Sequence, residues 1–384
     1  MKKMFAVFLF LALLFPTVVG LSQVSLTSAD LSGLQYLPKI TIKADGTITG
    51  NNTESINRIG RTYTLTANIE AYVLVIECSN ILLDGKENII NTTKGDNPAL
   101  QLRDVKNVTV KNLEIFSRYN SIHLSSSSNC VIIDVKTNNR IYIGDGSNFN
   151  TITNSDIKQL TLGLSRGAND NFISKNTISE MWIGRGSNNR FCQNNFLLKE
   201  PLGILSDVIW DNGYVGNYWG DYSIKYPNAS EIDNTGIGDT WYVIDRDAYS
   251  TKEHPASCID HYPLMYPWGT PELTVLDAEN TTSLQNYPLI FTINKPMHRM
   301  SYSLDGEANV TLTGNLTING LASGLHNLTI YATDIYGING ASKTVSFKVA
   351  EPFPLALIAG VSAASVVGVA VCLVVYHRKK PNKQ

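Results

Sequence analysis

The feature that most constrains this chain is a recurrence. Asparagines in SNIL (Asn80), KNVT (Asn107), SNCV (Asn129), SNFN (Asn148), ANDN (Asn169) and SNNR (Asn188) return, over the last four intervals, after 22, 19, 21 and 19 residues. Seven and five positions before each stand Val73/Val75, Leu100/Leu102, Ile122/Leu124, Ile141/Ile143, Leu162/Leu164 and Met181/Ile183, and none of these is polar. An apolar pair at period two, repeated at such intervals, describes a strand that stacks on its own copy in the next coil. Helical repeats are longer and need apolar residues at 3.6 spacing, a period absent here. The expectation is an all-β parallel β-helix, with coils about 4.8 Å apart.

The segment ANDNFISKNTISE (168–180) marks a corner of such a coil. Downstream of the anchors, Asn112, Asn176 and Asn194, with Asp134 and Ser155, suggest a second polar column. Stacked amides hydrogen-bond from coil to coil, and asparagine tolerates the backbone angles of tight turns. These asparagines are assigned to shape and not to chemistry.

Both ends of the chain point to a membrane. Lys2 and Lys3 precede an apolar run from Met4 to Phe15, with small residues at Val18 and Gly20, so residues 1–21 read as an export signal. Residues 354–376 carry no charge and are long enough to span a bilayer once. HRKK follows, which orients the short tail 377–384 to the cytoplasm. Eight Asn-x-Ser/Thr sequons (Asn51, Asn91, Asn107, Asn228, Asn280, Asn309, Asn315 and Asn327) all lie on the exported side. A formal charge of −2 and the lack of a basic tract outside the termini give no reason to expect nucleic acid as a partner. Cys372 lies within the span, and the four outer cysteines, Cys78, Cys130, Cys192 and Cys258, are too scattered for a disulfide scaffold. Gly360, Ala364 and Gly368 form a weak small-residue helix-packing motif in the span.

Several longer motifs carry a family resemblance. The stretch TIKADGTITGNNTESINRIGRTYTLTANIEAYVLVIECSNILLDGKENII resembles the entry to NosD-like right-handed parallel β-helix proteins. WDNGYVGNYWGDY, EIDNTGIGDTWYVID and DHYPLM resemble the closing signature of archaeal surface members, so the likeness spans about residues 38–266. FTINKPMHRMSYSLDGEANVTLTGN and GLASGLHNLTIYATDIYGINGASKTVSFKV are similar to Ig-like modules of such proteins, and the alternation in HNLTIYATD supports a β-sandwich independently. The expected order is entry strands and cap (22–71), coils (72–200), closing motifs (201–268), Ig-like sandwich (271–350) and a transmembrane helix (354–376). The resemblance implies a carbohydrate-binding or sugar-hydrolase type of repeat, and the family's namesake is linked to copper delivery. Fold analogy alone transfers neither role.

The residues suggest a face. The position between the two inward ones should turn outward, giving the row Leu74, Gln101, His123, Tyr142, Gly163 and Trp182. Tyr142 and Trp182 would then stand about 10 Å apart along the axis, an aromatic platform for sugar rings. Arg103, Arg166 and Arg185 lie near it and would meet an acidic saccharide. Glycoside hydrolysis needs two carboxyls about 5–10 Å apart; Asp104, Asp134 and Asp145 are scattered candidates, and Asp134 also suits a corner. His123 with Arg103 is the best base-and-neutraliser pair for lyase chemistry. For metals, Asp233, Asn234 and Asp239 loosely match a calcium loop. His254, Cys258, His261 and Met265 offer copper ligands, although DHYPLM also suits an apolar clamp and Cys258 suits pairing with Cys192. The resulting expectation is a non-catalytic surface protein that binds glycans or neighbouring surface-layer proteins and needs no cofactor. The alternatives are a polysaccharide-modifying enzyme on the same face and a copper-handling protein.

Overall fold

The computed structural model describes residues 37–144, 146–164, 166–197, 204, 206, 208–244, 259–276, 281–282, 285–351 and 355–378. The export signal 1–21, Asp145, His254, Cys258 and Asn280 lie outside the described residues. Contacts divide the chain into two compact units, one holding residues 1–192, 196–210 and 244–259, the other 193–195, 211–243 and 260–384.

The strands of the first unit wind as a parallel β-solenoid, and the solenoid has about 7 turns. Three strand stacks run through the coils. One stack comprises Lys39–Ile42, Val73–Ile76, Leu100–Arg103, Asn120–Ser125 and the 140–144 half of Val131–Gly144, followed by Asp156–Leu162 and Thr177–Ile183. A second carries the column Leu83, Val110, Ile132, Ile152, Ile173 and Phe191, each in register with the next and fully buried. A third carries Ile90, Ile115, Thr137, Ile157 and Ile178. β-Branched residues suit this use, since their stiff side chains pack well on a pleated surface. Truncating one of them, Ile132→Ala for instance, would cost roughly 2–5 kcal/mol through lost burial and a cavity.

The inward columns of the first stack are Leu74, Leu100, Ile122, Ile141, Leu160 and Met181, beside Ile76, Leu102, Leu124, Ile143, Leu162 and Ile183. Two coils therefore differ from the expected register. Leu74 and Ile76, rather than Val73 and Val75, stack on Leu100 and Leu102, because the turn to Asn80 is one residue shorter than the turn to Asn107. Leu162 occupies the second inward column rather than the first, and Leu164 is 43 % exposed. The cause is a turn lengthened by two residues in GLSRGA, before Asn169.

The corner is a set of adjacent ladders. Asn80, Asn107, Asn129, Phe149, Asp170 and Asn188 all have positive φ, the left-handed seat that asparagine tolerates best. Asn148 and Asn169 sit one column earlier, where Asn169 Nδ2 donates to Asn148 Oδ1 at 3.1 Å. One column later, Asn150, Asn171 and Asn189 are buried, and the Nδ2 of each of the first two donates to the next Oδ1 at 3.1 and 3.0 Å. The second polar column likewise splits. Asn112 and Asp134 take left-handed seats, and Asp134 accepts a hydrogen bond from Asn154 Nδ2. Ser155, Asn176 and Asn194 instead lie inside, where Asn176 Oδ1 accepts from Ser155 N at 3.0 Å.

In the second unit, the closing motifs converge on one carboxylate. Asp260 is fully buried and accepts hydrogen bonds from Asn217 N, Trp219 Nε1 and Tyr262 N at 2.7, 3.0 and 3.1 Å. A Cβ on Gly216 would lie 1.7 Å from Asp260 Oδ1, so only glycine fits there. Burial pushes the Asp260 pKa up to about 7 against the pull of these donors. Leu264, buried, forms isolated bridges with Tyr218 and Ile237, while Tyr262 and Met265 are half-buried.

Residues 273–349 of the same unit form two sheets. Leu273–Leu276, Asn286–Ile293 and Leu316–Asn319 make the smaller; Thr281–Thr282, Val345–Val349, Gly324–Asp334, Met297–Leu304, Val310–Leu312 and Asn339–Ala341 make the larger. Alternate residues of Gly324–Asp334 point inward, and the ring of Tyr287 stacks on that of Phe347 at 3.8 Å. Lys295 Nζ lies 2.7 Å from Asp334 Oδ2, with neither side chain exposed, and also donates to the carbonyls of Pro267 and Gly269. The C-terminal helix runs Leu355–Arg378. Among the described residues no helix is long and apolar enough to cross a membrane; the side chains described on this one are 365–376 and Arg378.

Candidate functional site

Alternation along the first strand stack places one row of side chains outward, between the two buried columns. Register makes that row Val75, Gln101, His123, Tyr142, Thr161 and Trp182. Gln101, His123, Tyr142 and Trp182 stand together as expected. Val75 replaces Leu74, and Thr161 replaces Gly163, for the turn-length reasons above. Tyr142 and Trp182 are two coils apart, about 10 Å along the axis, with the small Thr161 between them.

Two of the rings pack on one another. His123 and Tyr142 stack with centroids 4.9 Å apart and an interplanar angle of 22°. A Cβ on Gly144 would lie 2.4 Å from Tyr142 Cζ, so the tyrosine ring reclines over the glycine two residues on. Gly163 and Gly184 continue that flanking row, one position beyond the paired Leu162 and Ile183. A Cβ on Gly163 would meet Arg185 O at 1.7 Å, and its φ is +63°. Glycine here permits close approach of successive turns, and all three glycines are buried. His123, Tyr142 and Trp182 are all half-buried. Among the described residues, Trp182 Nε1 and Thr161 Oγ1 are buried and have no hydrogen-bond partner. Trp182 therefore offers a ligand its ring surface and not its N–H.

Two residues of this face were not expected. Arg140 precedes Tyr142 by two positions and so shares its side of the strand. Its guanidinium lies 5.7 Å from the Tyr142 centroid and 5.5 Å from that of Tyr119, within cation–π range. Arg140 Nε donates to Asn120 Oδ1 at 2.7 Å, which fixes it. The period-two signal was present for Arg140; Tyr119 is hidden by the register shift at Asn120–Ile122.

Charges gather at the other end of the face. Arg103 Nη2 donates to Gln101 Oε1 at 2.7 Å, and Nη1 lies 3.7 Å from Glu77 Oε1. Lys43 Nζ stands 3.9 Å from Glu77 Oε2. The Arg103 guanidinium is thus engaged with Gln101 and Glu77, while the His123 ring packs on Tyr142. Arg166 and Arg185 are exposed, in the turns after their strands. Asp104 has a left-handed backbone (φ 52°) and is exposed.

The metal candidates are dispersed. Asp239 Oδ1 accepts from Ser230 N at 3.1 Å and Thr240 Oγ1 at 2.9 Å, a turn-capping role. Asp233 and Asn234 occupy consecutive left-handed seats (φ 46° and 55°) on the exposed side of the same loop. His261 Nδ1 lies 3.0 Å from Asp211 Oδ2, and its ring packs edge-on to Trp241 at 4.9 Å. Met265 N donates to Gly236 O at 2.8 Å. Among the described residues no three His, Cys, Asp or Glu side chains gather in a metal-binding group. Of the seven described sequon asparagines, Asn51, Asn107, Asn228, Asn309, Asn315 and Asn327 are exposed and Asn91 is half-buried.

Comparison with known proteins adds no identity: no family model, no curated protein and no solved structure matches this chain.

Proposed function

We propose that the outward row of the solenoid binds a glycan chain laid along the coil axis, without catalysing its cleavage. The observation that carries this reading is the Tyr142 ring, stacked on His123 and close against Gly144, in one outward row with the half-buried Trp182. Apolar ring faces beside fixed polar groups suit the faces and edges of sugars, and Gln101 and Arg140 supply those polar groups. The rise of one coil is also comparable to the length of one sugar unit, so successive units would meet successive rows.

The reading extends to location and kinship. On this reading the chain is an exported, single-pass surface protein of NosD-like type, with a right-handed solenoid and an Ig-like sandwich. In support, the sequence carries no charge from residue 354 to 376, a stretch that the helix Leu355–Arg378 covers but for its first residue, and HRKK follows it. Its described apolar side chains, among them Val366, Val369, Leu373 and Val375, are all exposed, which suits an apolar medium.

The test is binding of the full chain to a glycan array, followed by Trp182→Ala and Tyr142→Ala. Each variant should lose about tenfold in affinity, the equivalent of 1.4 kcal/mol, with an unchanged melting temperature and no new reducing ends. Unchanged affinity in both variants would refute the reading. Sugar products that vanish on replacing His123 or Arg103 would instead establish an enzyme.

A further inference from the structure

A cavity of about 490 Å³ opens in the first unit, beside the charged end of this face. Its walls come from four places: the turn after Lys39–Ile42, which brings Asp45, the hairpin Ile56–Ile59/Thr62–Leu65, the turn after Val73–Ile76, and the turn after Leu100–Arg103. Arg58, Arg61, Tyr63, Glu77 and Asp104 are among the lining residues.

The cations are fixed in advance. Arg58 Nη1 donates to Gly46 O at 2.5 Å and Nε to Gly60 O at 3.1 Å, with the guanidinium 5.4 Å from the Tyr63 ring centroid. Tyr63 OH donates to the same Gly46 carbonyl at 2.6 Å. Arg61 Nη1 donates to Ser79 O at 3.3 Å. Each guanidinium carries five N–H donors, so both keep donors beyond those spent on the backbone.

The anions are not consumed in the same way. Asp45 Oδ1 accepts from Thr47 N and Oγ1 at 2.8 and 2.7 Å. Glu77 is different: its two neighbouring cations stand at 3.7 and 3.9 Å, beyond hydrogen-bond length. Asp104 faces the cavity from the next coil. Among the described residues, neither the Glu77 nor the Asp104 carboxylate accepts a hydrogen bond. Two unspent carboxylates and two pinned guanidiniums thus line one pocket. Three carboxylates against two guanidiniums leave little net charge to select an ion. Hydroxyl groups satisfy both kinds of wall, donating to the carboxylates and accepting from the guanidiniums.

The cavity lies next to the charged end of the proposed glycan row, since Glu77 adjoins Arg103, Arg103 holds the buried Gln101, and Gln101 neighbours His123. From Trp182 to the coil of Val75 is five coil steps, about 24 Å. We infer that the cavity receives the terminal, neutral, hydroxyl-rich sugar unit of a glycan whose body lies on the row, so that the protein recognises chain ends. This inference rests on the glycan-binding reading above.

The test uses the full chain, isothermal titration, and neutral hexasaccharides of β-1,4-glucan, β-1,4-mannan, β-1,3-glucan and α-1,4-glucan. The cyclic α-1,4-glucan of equal size, which has no end, and the corresponding polymers complete the set. Linear oligosaccharide should bind; Glu77→Gln and Asp104→Asn should each weaken it about tenfold, as expected for losing hydrogen bonds to a charged group. Polymer binding per unit mass should fall far less in these variants, whereas Trp182→Ala should weaken both. Equal binding of the cyclic and linear forms, or wild-type affinity in both carboxylate variants while Trp182→Ala still weakens binding, overturns the terminal pocket and leaves the face intact. Full loss in the carboxylate variants with no effect of Trp182→Ala overturns the face, and with it the link between face and cavity. Binding of no sugar at all overturns both. Melting temperatures within a few degrees of the parent exclude misfolding as the cause of any loss.

Discussion

Gly144→Ala is the substitution that most directly interrogates the aromatic face, because it adds one carbon beneath a ring without touching the ring itself. The new Cβ would lie 2.4 Å from Tyr142 Cζ and 2.5 Å from its hydroxyl. Optimal carbon contacts are about 3.5–4.0 Å, so the ring must retreat by more than about 1 Å. The backbone of Gly144 lies outside the left-handed region, and alanine introduces no strain there. Loss of the His123–Tyr142 stack costs about 0.5–1.5 kcal/mol, and the stiffer unfolded chain returns about 0.4–1 kcal/mol. Net stability should therefore stay within about 1 kcal/mol of the parent, a modest change for one substitution.

Ligand affinity should not be spared. A displaced Tyr142 removes one of the two rings spaced along the row, so Gly144→Ala should weaken glycan binding about as much as Tyr142→Ala, roughly tenfold for 1.4 kcal/mol. The decisive measurement is a double-mutant cycle. In the Tyr142→Ala background there is no ring to displace, and Gly144→Ala should then have no effect on binding. Equal losses in both backgrounds would mean that the glycine acts through the backbone, and the seated-ring argument would fail. So would retention of full affinity in the single variant.

Three further outcomes follow from buried polar groups. Thr137 sits in the isoleucine column of the third stack with its hydroxyl buried and unpartnered among the described residues; Thr137→Val should stabilise the solenoid by about 1 kcal/mol, read as a higher urea midpoint at constant slope. The Asp260 pKa is raised from 3.8 to about 7, so the folded state holds this proton more tightly. Stability should be greatest below pH 4 on this account and decline as pH rises through 7, by at most about 4 kcal/mol at 1.4 per unit; Asp260→Asn should flatten that decline in chemical unfolding, and an equal slope in the variant would clear Asp260 of it. Lys295→Met leaves the buried Asp334 charge without its cation and should cost about 3–5 kcal/mol, while Lys295→Met/Asp334→Asn, whose Oδ1 can still accept from Tyr336 N and Ile338 N, should recover much of it; failure of the double variant to recover would point to the Lys295 contacts with Pro267 and Gly269 instead.

Much of the solenoid was legible in the sequence, because an inward pair at period two leaves few alternatives to a stacked strand. The columns Leu102, Leu124, Ile143 and Leu100, Ile122, Ile141 stack neighbour on neighbour. Counting back from an asparagine failed where the intervening turn changed length. Asparagine itself misleads as an anchor, since three adjacent columns of one corner accept it for different reasons: an outer amide ladder, a left-handed seat and an inner ladder. In ANDNFISKNTISE these are Asn169, Asp170 and Asn171, and only the middle residue has positive φ. The cavity at the charged end was not legible, because its walls come from separate turns that meet only once the coils are wound. Nor did the sequence distinguish Asp260 from other motif carboxylates, since its role depends on the closeness of Gly216.

Geometry also weighs binding against cleavage. Catalysis at His123 would need its ring free to exchange a proton with a sugar, and Arg103 placed to neutralise the charge that develops. Instead the His123 ring packs on Tyr142, and the Arg103 guanidinium reaches back along the axis to Gln101 and Glu77. Under the binding reading, these contacts would fix the surface before a ligand arrives. Strands paired on both sides hold the row, and the corner ladders hold the strands, so little ordering remains to oppose association. On the glycan-binding reading proposed above, a row prepared in this way would gain affinity from every coil it spans, which would favour a long ligand over a small one.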